Sequence, residues 1–203
     1  MKTILIATDF SDASRNASLY GIQLAKALNA KVTLFSAYKV PPPIPGLNMS
    51  RARYAIMMQA NKRLLQEAYF LDPEKAVIEI MCNEGLAEDE IINIANEKKV
   101  DFIIIGMKGN SKNFKKIYGS VATSLSKNSK IPVIIVPEDA GSKNPELVEF
   151  ANNNNRYSKN GSDQFIAIKQ PFNSKLPVVK LIKNRYEEWF EVSDTQQKLG
   201  KVG

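Results

Sequence analysis

Short apolar runs and amphipathic stretches alternate along the first two thirds of the chain. The run "TILIATD" is followed by "ASRNASLYGIQLAKALNA", in which apolar positions recur every three or four residues at Ala17, Tyr20, Leu24 and Leu28. Such spacing places these side chains on one face of a helix. The sequence therefore predicts a strand that ends near Asp9 and a helix directly after it.

The same alternation continues as far as Pro137. "KVTLFSAY" predicts a second strand, and the proline-rich "PPPIPG" predicts a stiff connection. A helix of residues 51–71 is predicted next, with an apolar side made of Ile56, Ala60, Leu64 and Leu65. "AVIEIMC" predicts a third strand, and "LAEDEIINIANEKK" predicts a third helix with acids at its beginning and lysines at its end, as the helix dipole favours.

Three further segments complete the pattern. "FIIIG" has no charged residue, which is typical of a strand buried on both faces of a parallel sheet. "SVATSLSKNSK" predicts a fourth helix, and "PVIIVP" predicts a fifth strand. Because strands and helices alternate, we expect an α/β fold with an open five-stranded parallel sheet and helices on both of its faces.

Polar and glycine-rich sequence follows two of the predicted strands, at the sheet edge where such folds bind ligands. The first place is "TDFSDAS", and the second is "GMKGNSKNFKKIYGS", which contains no acid. Gly106 and Gly109 would let a ligand approach the backbone, and Gly119 and Ser120 open a helix whose free N–H groups attract anions. Four lysines add positive charge and favour phosphate as the anion: Lys108, Lys112, Lys115 and Lys116.

The glycine spacing identifies a family. The P-loop pattern and the dinucleotide pattern are both absent. Gly106, two residues, Gly109, nine residues and then Gly119-Ser120 resemble the nucleotide-binding motif of the ATP-binding subgroup of the universal stress protein family. The segments "ATDFSDAS", "VTLFSAY", "DFIIIG" and "KIPVIIVP" agree with that family in the same order, so the resemblance covers residues 1–137. It implies a Rossmann-like fold of the adenine nucleotide hydrolase-like type.

The resemblance also implies a role for each matching residue. Asp9 would lie beside the nucleotide at its adenosine end, and Ala37 would make backbone contacts to adenine. Asp9 has a structural alternative, because an aspartate at this place could be the N-cap of the first helix, with Ser11 nearby.

The glycine motif would bind the rest of the nucleotide. Gly106 and Gly109 would line the approach to the ribose and phosphates, and Gly119 and Ser120 would hold the phosphates. Lys108 departs from the family pattern, since relatives often have histidine or another residue there, and it could pair with phosphate or point into solvent. Two alternatives remain for these residues: the glycines could serve only a tight strand exit and a close helix start, and the lysines could form a solvated basic face.

The resemblance implies a function in the stress response. We expect an ATP-binding regulatory module that acts through a nucleotide-dependent homodimer, with Mg²⁺ as a further candidate cofactor. "PVIIVP" offers an apolar strand edge for that dimer. A slow ATP hydrolase of the same fold and a nucleotide-free dimerising scaffold are the alternatives, and the protein partner is not identified by the sequence.

Composition excludes several kinds of catalytic and binding site. The chain has no histidine, which excludes Ser-His-Asp and Cys-His catalysis and imidazole zinc sites. Cys82 is the single cysteine and cannot form an internal disulfide. The net charge is +7, but aromatic residues are not interleaved with the basic cluster, so we do not expect nucleic-acid binding. The apolar runs are too short for a membrane span and no export signal is visible, so a cytoplasmic location is expected.

Residues 138–203 form, on this interpretation, a C-terminal extension of unknown role. "NPELVEFANNNN" predicts a short helix and a polar linker, and "QFIAIKQPFNSKLPVVKLIKN" predicts two strands joined by a turn. "RYEEWFEV" places Tyr186, Trp189 and Phe190 at helical spacing. Because an isolated hairpin is marginal in water, we expect the extension to pack on the first domain or a partner and to be flexible in part. A truncated second copy of the domain is a minor alternative.

Overall fold

The computed structural model describes residues 1–72, 78–108 and 119–138 in full, and only the course of the backbone at 149–151, 179–183 and 186–190. Strands and helices alternate through the first part, as the sequence predicts. The elements are β1 (Thr3–Ala7), α1 (Asp12–Leu28), β2 (Lys31–Tyr38), α2 (Met49–Leu71), β3 (Ile78–Glu84), α3 (Ala87–Glu97), β4 (Phe102–Met107), α4 (Ser120–Asn128), β5 (Val133–Pro137), β6 (Glu149–Ala151), β7 (Val179–Lys183) and β8 (Tyr186–Phe190).

One sheet organises the first part of the chain. Its strand order is β3-β2-β1-β4-β5-β6, and the first five strands are parallel. The predicted α/β fold with five parallel strands is therefore confirmed. The sixth strand, β6, pairs antiparallel with β5 and comes from the C-terminal extension, which the sequence pattern does not predict.

The central strands are apolar because both faces of the sheet are covered. Ile4 and Ile6 of β1 pack in one core with α1 and α2, whereas the alternate residue Leu5 packs in a second core with α3 and α4. The two residue sets follow the period of two that a strand imposes on its side chains. A strand without polar positions is thus the result of burial on both sides, and this explains the run "FIIIG" in β4.

Helix α2 differs from its predicted face at one position. Leu64 is fully buried, but the neighbouring Leu65 is 51% exposed, so the prediction that both lie on the buried side is wrong. The buried row continues instead through Glu67, whose carboxylate accepts two hydrogen bonds of 3.0 Å from the Arg15 guanidinium. A buried charge is tolerated only with such a partner, and a pattern of apolar residues cannot reveal it.

The outward side of α2 carries its own apolar residues. We call them the α2 stripe, because their spacing places them along one line of the helix: Tyr54, Met58, Leu65 and Tyr69, all exposed.

The extension contains strands where helices are predicted. Residues 149–151 form β6 rather than part of a short helix, and residues 186–190 form β8, which pairs antiparallel with β7. Both helix predictions are wrong at these residues. Their backbone groups are paired with a neighbouring strand instead of within a helix, and this pairing outweighs the helical spacing of the sequence. The strand β7 agrees with the second half of the predicted two-strand segment, whose first half lies outside the described residues.

The assignment of the α2 faces can be tested with neighbouring residues. Leu64→Ala should lower the free energy of unfolding by about 2 to 5 kcal/mol, because it leaves a cavity in the core. Leu65→Ala should change it by about 0.5 kcal/mol or less, because that side chain is largely in solvent. Urea unfolding measures both values, and equal losses for the two variants would contradict the assigned faces.

Candidate functional site

The strand order reverses between β1 and β4. The chain moves from β1 through α1 to β2 on one side, and from β3 through α3 to β4 on the other. Ligands of open α/β sheets bind in the crevice at the carboxyl ends of the strands beside such a reversal. Asp9 follows β1 and Gly106 lies near the end of β4, so these predicted site residues flank the crevice.

The turn after β1 is fixed by its own polar groups. Ser11 is the N-cap of α1, and its hydroxyl accepts a hydrogen bond of 3.2 Å from the Ser14 amide. The alternative interpretation of Asp9 as the cap is therefore wrong. Asp9 instead accepts a hydrogen bond of 3.0 Å from the Ser11 amide through Oδ1, and its side chain is exposed at the crevice.

Asp9 is held in its charged form. Partial burial opposes the charge, but hydrogen bonds from Ser11 and Ser14 together outweigh burial and lower the pKa of Asp9. An ionised carboxylate only accepts hydrogen bonds. A ligand group bound to Asp9 at neutral pH must therefore be a hydrogen-bond donor or a cation, and a phosphate would be repelled.

Two further hydroxyl residues support this turn. The buried Thr8 hydroxyl lies 3.0 Å from the Ser14 hydroxyl and accepts a hydrogen bond of 3.0 Å from the amide of Phe10. Phe10 has a φ of 65°, which is uncommon outside glycine. Sequence reasoning does not single out Thr8 or Ser14, although the density of Ser and Thr in "TDFSDAS" is the signal that could have indicated them.

Ala37 presents its backbone to the crevice. The pairing of β1 with β2 ends at Ala7 and Phe35, and β2 continues to Tyr38 beside β3. The Thr8 amide donates to the Phe35 carbonyl at 2.9 Å, so the backbone groups of Phe35 face β1. Since these groups alternate in direction along a strand, the N–H and C=O of Ala37 face the side that β1 has already left.

Gly106 brings β4 close to the first turn of α1. A Cβ at this position would lie 2.4 Å from the Ala13 carbonyl oxygen and 2.6 Å from the Ser14 nitrogen. Both are backbone atoms of α1, so only glycine fits without moving that helix. Gly106 therefore has a packing role, and its contact sets the distance between the Asp9 turn and the end of β4.

No described side chain caps the N-terminus of α4. Gly119 precedes the helix with a φ of 124°, offers no capping side chain, and has no described atom within 4 Å of the place where a Cβ would be. Ser120 is exposed, and the first turn has no acid. Of the four described helices, α1 and α2 have a capping side chain and α3 has three acids in its first turn. Among the described residues helix α4 has neither, and no described group is bonded to its first amides, which an anion could therefore bind.

The structure brings most of the predicted residues to one edge. Asp9, Ala37 and Gly106 lie at the carboxyl ends of three adjacent strands. Helix α4 leads back to the start of β5, so Gly119 and Ser120 at its N-terminus lie on the same edge. Lys108 is exposed directly after β4, and four predicted residues lie outside the described ones: Gly109, Lys112, Lys115 and Lys116.

The described residues contain no group of three or more His, Cys, Asp or Glu side chains that could hold a metal ion. No helix among them has the length and apolar character to cross a membrane.

Comparisons with known sequences agree on one family. Residues 1–137 match the model of the universal stress protein family. Universal stress protein MJ0531 of Methanocaldococcus jannaschii is 30% identical over 138 residues, which cover 66% of this chain and 81% of that protein. Stress response protein NhaX of Bacillus subtilis is 29% identical over 159 residues, which cover 66% of this chain and 96% of that protein.

Solved structures show the same fold. Universal stress protein UspA from Lactobacillus plantarum superimposes with a TM-score of 0.55 at 21% identity, over 66% of this chain and 96% of that chain. A universal stress protein from Archaeoglobus fulgidus gives a TM-score of 0.64 at 19% identity, over 89% of this chain and 66% of that chain. The family resemblance itself is confirmed by the match of residues 1–137 to the family model.

The contact of Gly106 with α1 can be tested against a second glycine. Gly106→Ala should lower the free energy of unfolding by about 1 to 3 kcal/mol, because the clash is with backbone atoms. Gly21→Ala is the comparison, since its new Cβ would meet only side-chain atoms of the core, Ile6 Cδ1 at 2.6 Å and Ile104 Cδ1 at 3.1 Å, which can shift more readily than backbone, and alanine favours the helix. Thermal and urea unfolding compare the two variants, and a Gly106→Ala protein as stable as the parent would contradict the assigned contact.

Proposed function

The chain belongs to the universal stress protein family, and we propose that it is an ATP-binding regulatory module of the cytoplasmic stress response. The observation that carries this proposal is the N-terminus of α4: its first residues are exposed, its first turn has no acid, and no side chain among the described residues caps it. A helix end of this kind binds phosphate through its free amides and its dipole. Its place at the carboxyl edge of the sheet is where such folds bind nucleotides.

The opposite side of the crevice suits the adenosine part of ATP. Ionised Asp9 accepts hydrogen bonds and repels phosphate, so it fits the hydroxyl groups of a ribose. The N–H and C=O of Ala37 face the crevice from the end of β2 and fit the donor and acceptor edge of adenine. A ligand with donors at one end and negative charge at the other would therefore lie from β2 across β1 and β4 to α4.

The charges of the site favour binding over hydrolysis. Asp9 is an acidic residue of the crevice, and it would lie at the adenosine end, away from the phosphates. It is therefore badly placed to activate a water for attack on the γ-phosphate. Mg²⁺, if bound, would be held mainly by the phosphates themselves, as is usual for this ion. We therefore propose that the protein acts by forming a homodimer that depends on bound nucleotide, and not by hydrolysing ATP.

The direct test is the identity of the nucleotide that the purified protein carries. The full chain is denatured, and the released small molecules are identified by chromatography and mass; ATP in a ratio near one per chain is expected. ADP in its place would support the slow hydrolase. No nucleotide, together with no heat of binding when ATP and Mg²⁺ are titrated into the folded protein, would reject nucleotide binding and support the scaffold.

A negative charge introduced at the N-terminus of α4 tests whether this helix end binds the ligand or has only a structural role. Ser120→Glu should weaken ATP binding about tenfold or more, because the carboxylate repels the phosphates and competes for the same amides. The same substitution should leave the melting temperature equal or higher, because an acid in the first turn favours the helix.

The matched control for this variant is Ser124→Glu, which adds the same charge one turn further along α4. It should change ATP affinity much less than Ser120→Glu does. Titration calorimetry measures both variants. Equal affinities for the parent and Ser120→Glu would remove the helix end from the binding site.

A further inference from the structure

The outer edge of β5 is closed by a strand of the C-terminal extension. One edge of β5 pairs with β4, and the other pairs antiparallel with β6. The register joins Val133 with Ala151, Ile134 with Phe150 and Ile135 with Glu149. The expected dimer edge is therefore occupied by the same chain.

Backbone directions identify the groups that hold this pairing. The Ile103 amide donates to the Pro132 carbonyl at 2.9 Å, so the backbone groups of Pro132 face β4. By alternation along β5, the N–H groups of Val133 and Ile135 face outward, toward β6. In an antiparallel pair, two opposite residues that face each other exchange both of their backbone hydrogen bonds. The N–H groups of Ala151 and Glu149, which lie opposite Val133 and Ile135, therefore face β5, and the N–H group of Phe150 faces away.

A free edge at this place would pair with another chain. All five residues of β5 are buried, and four are apolar and β-branched: Val133, Ile134, Ile135 and Val136. An apolar strand with unpaired N–H and C=O groups is a site of strand addition. The remaining outward position, Pro137, has no N–H to offer. The two outward donors of β5 are thus both used by β6.

A second copy of the chain would need the same groups. Two identical edge strands related by a two-fold axis perpendicular to the sheet pair antiparallel, which is the direction in which β6 runs. Strand β6 therefore takes the place, and the orientation, of the β5 strand of a second copy.

The start of the extension is tied to α1. The Asn16 side-chain amide donates to the Pro137 carbonyl at 2.9 Å and lies 3.4 Å from the Glu138 carbonyl. Asn16 belongs to the helix that begins just after the Asp9 turn. The chain therefore leaves β5 at a point fixed by the helix that borders the crevice, and residues 139–148 connect that point to β6.

We propose that β6 is a built-in competitor of homodimer formation. It closes the β5 edge in the resting chain, and a second copy pairs with β5 only after β6 has left. This inference rests on the homodimer of the proposed function, and it assigns a regulatory role to the extension.

The test uses the full chain and exploits the direction of the β6 amides. The variant Glu149→Pro/Ala151→Pro removes the two N–H groups that face β5, whereas Phe150→Pro removes the one that faces away. Mass is measured by light scattering at micromolar concentration, and exchange of the Val133 and Ile135 amides is followed by NMR. Leu65→Lys, which charges the α2 stripe, controls for self-association through that surface.

The expected results distinguish pairing of β5 with β6 from pairing of β5 with a second copy of the chain. After bound nucleotide has been removed, the parent and Phe150→Pro should have the mass of one chain, 22.7 kDa, with both β5 amides protected. The double variant should shift toward twice this mass, and its amides should lose protection on dilution as the dimer dissociates. Leu65→Lys, combined with the double variant, should leave that dimer intact.

Each other result overturns the inference. Unprotected Val133 and Ile135 amides in a monomeric parent would show that β6 does not occupy the edge. A parent that is already a dimer, with a mass unchanged in the double variant, would show that the competitor is ineffective. A double variant that stays monomeric would reject pairing at β5. ATP affinity, measured on the same samples, reports separately on the nucleotide part of the proposed function.

Discussion

The close contact between Gly106 and the first turn of α1 is the constraint on which the site depends. It holds the end of β4 against the backbone of Ala13 and Ser14, at distances that leave no room for a Cβ. The same turn contains Ser11, which caps α1 and binds Asp9 through its amide. Because Gly106 has no Cβ, β4 can lie close to α1, and this contact determines where the Asp9 carboxylate lies relative to the end of β4.

Around this contact, the crevice has two chemically different ends. The Asp9 end accepts hydrogen bonds and carries negative charge, and the α4 end offers amides and the positive end of a dipole. Neither end alone would select a nucleotide, because a carboxylate binds many donors and a helix N-terminus binds many anions. Their placement on one sheet edge suits a ligand that carries both kinds of group, and this is the reason that we propose ATP as the ligand.

The edge of the sheet beyond β5 links this site to assembly. Parallel sheets bury both faces but leave two edges, and an apolar edge strand invites pairing with another chain. In this protein the extension supplies β6 at that edge, while Asn16 connects the end of β5 to the helix beside the crevice. Nucleotide binding and self-association would therefore act on neighbouring parts of the same helix and strand.

The sequence by itself determined the elements whose signal is local. Apolar runs identified β1, β2, β4 and β5, and the spacing of Ala17, Tyr20 and Leu24 identified α1, because burial on one or both sides leaves a periodic trace. Strand order also predicted the sheet edge at which the structure has Asp9, Ala37 and Gly106, whereas Gly109 lies outside the described residues. Their part in ligand binding stays a prediction.

The tertiary structure decided what depends on a distant partner. Leu65 points outward although its apolar character suggests the core, and Glu67 is buried because Arg15, far away in sequence, pairs with it. Residues 149–151 and 186–190 are strands because neighbouring strands accept their hydrogen bonds. Such pairings join segments that are separated along the chain, so no local pattern records them, and only the folded arrangement fixes which face is buried and which edge is closed.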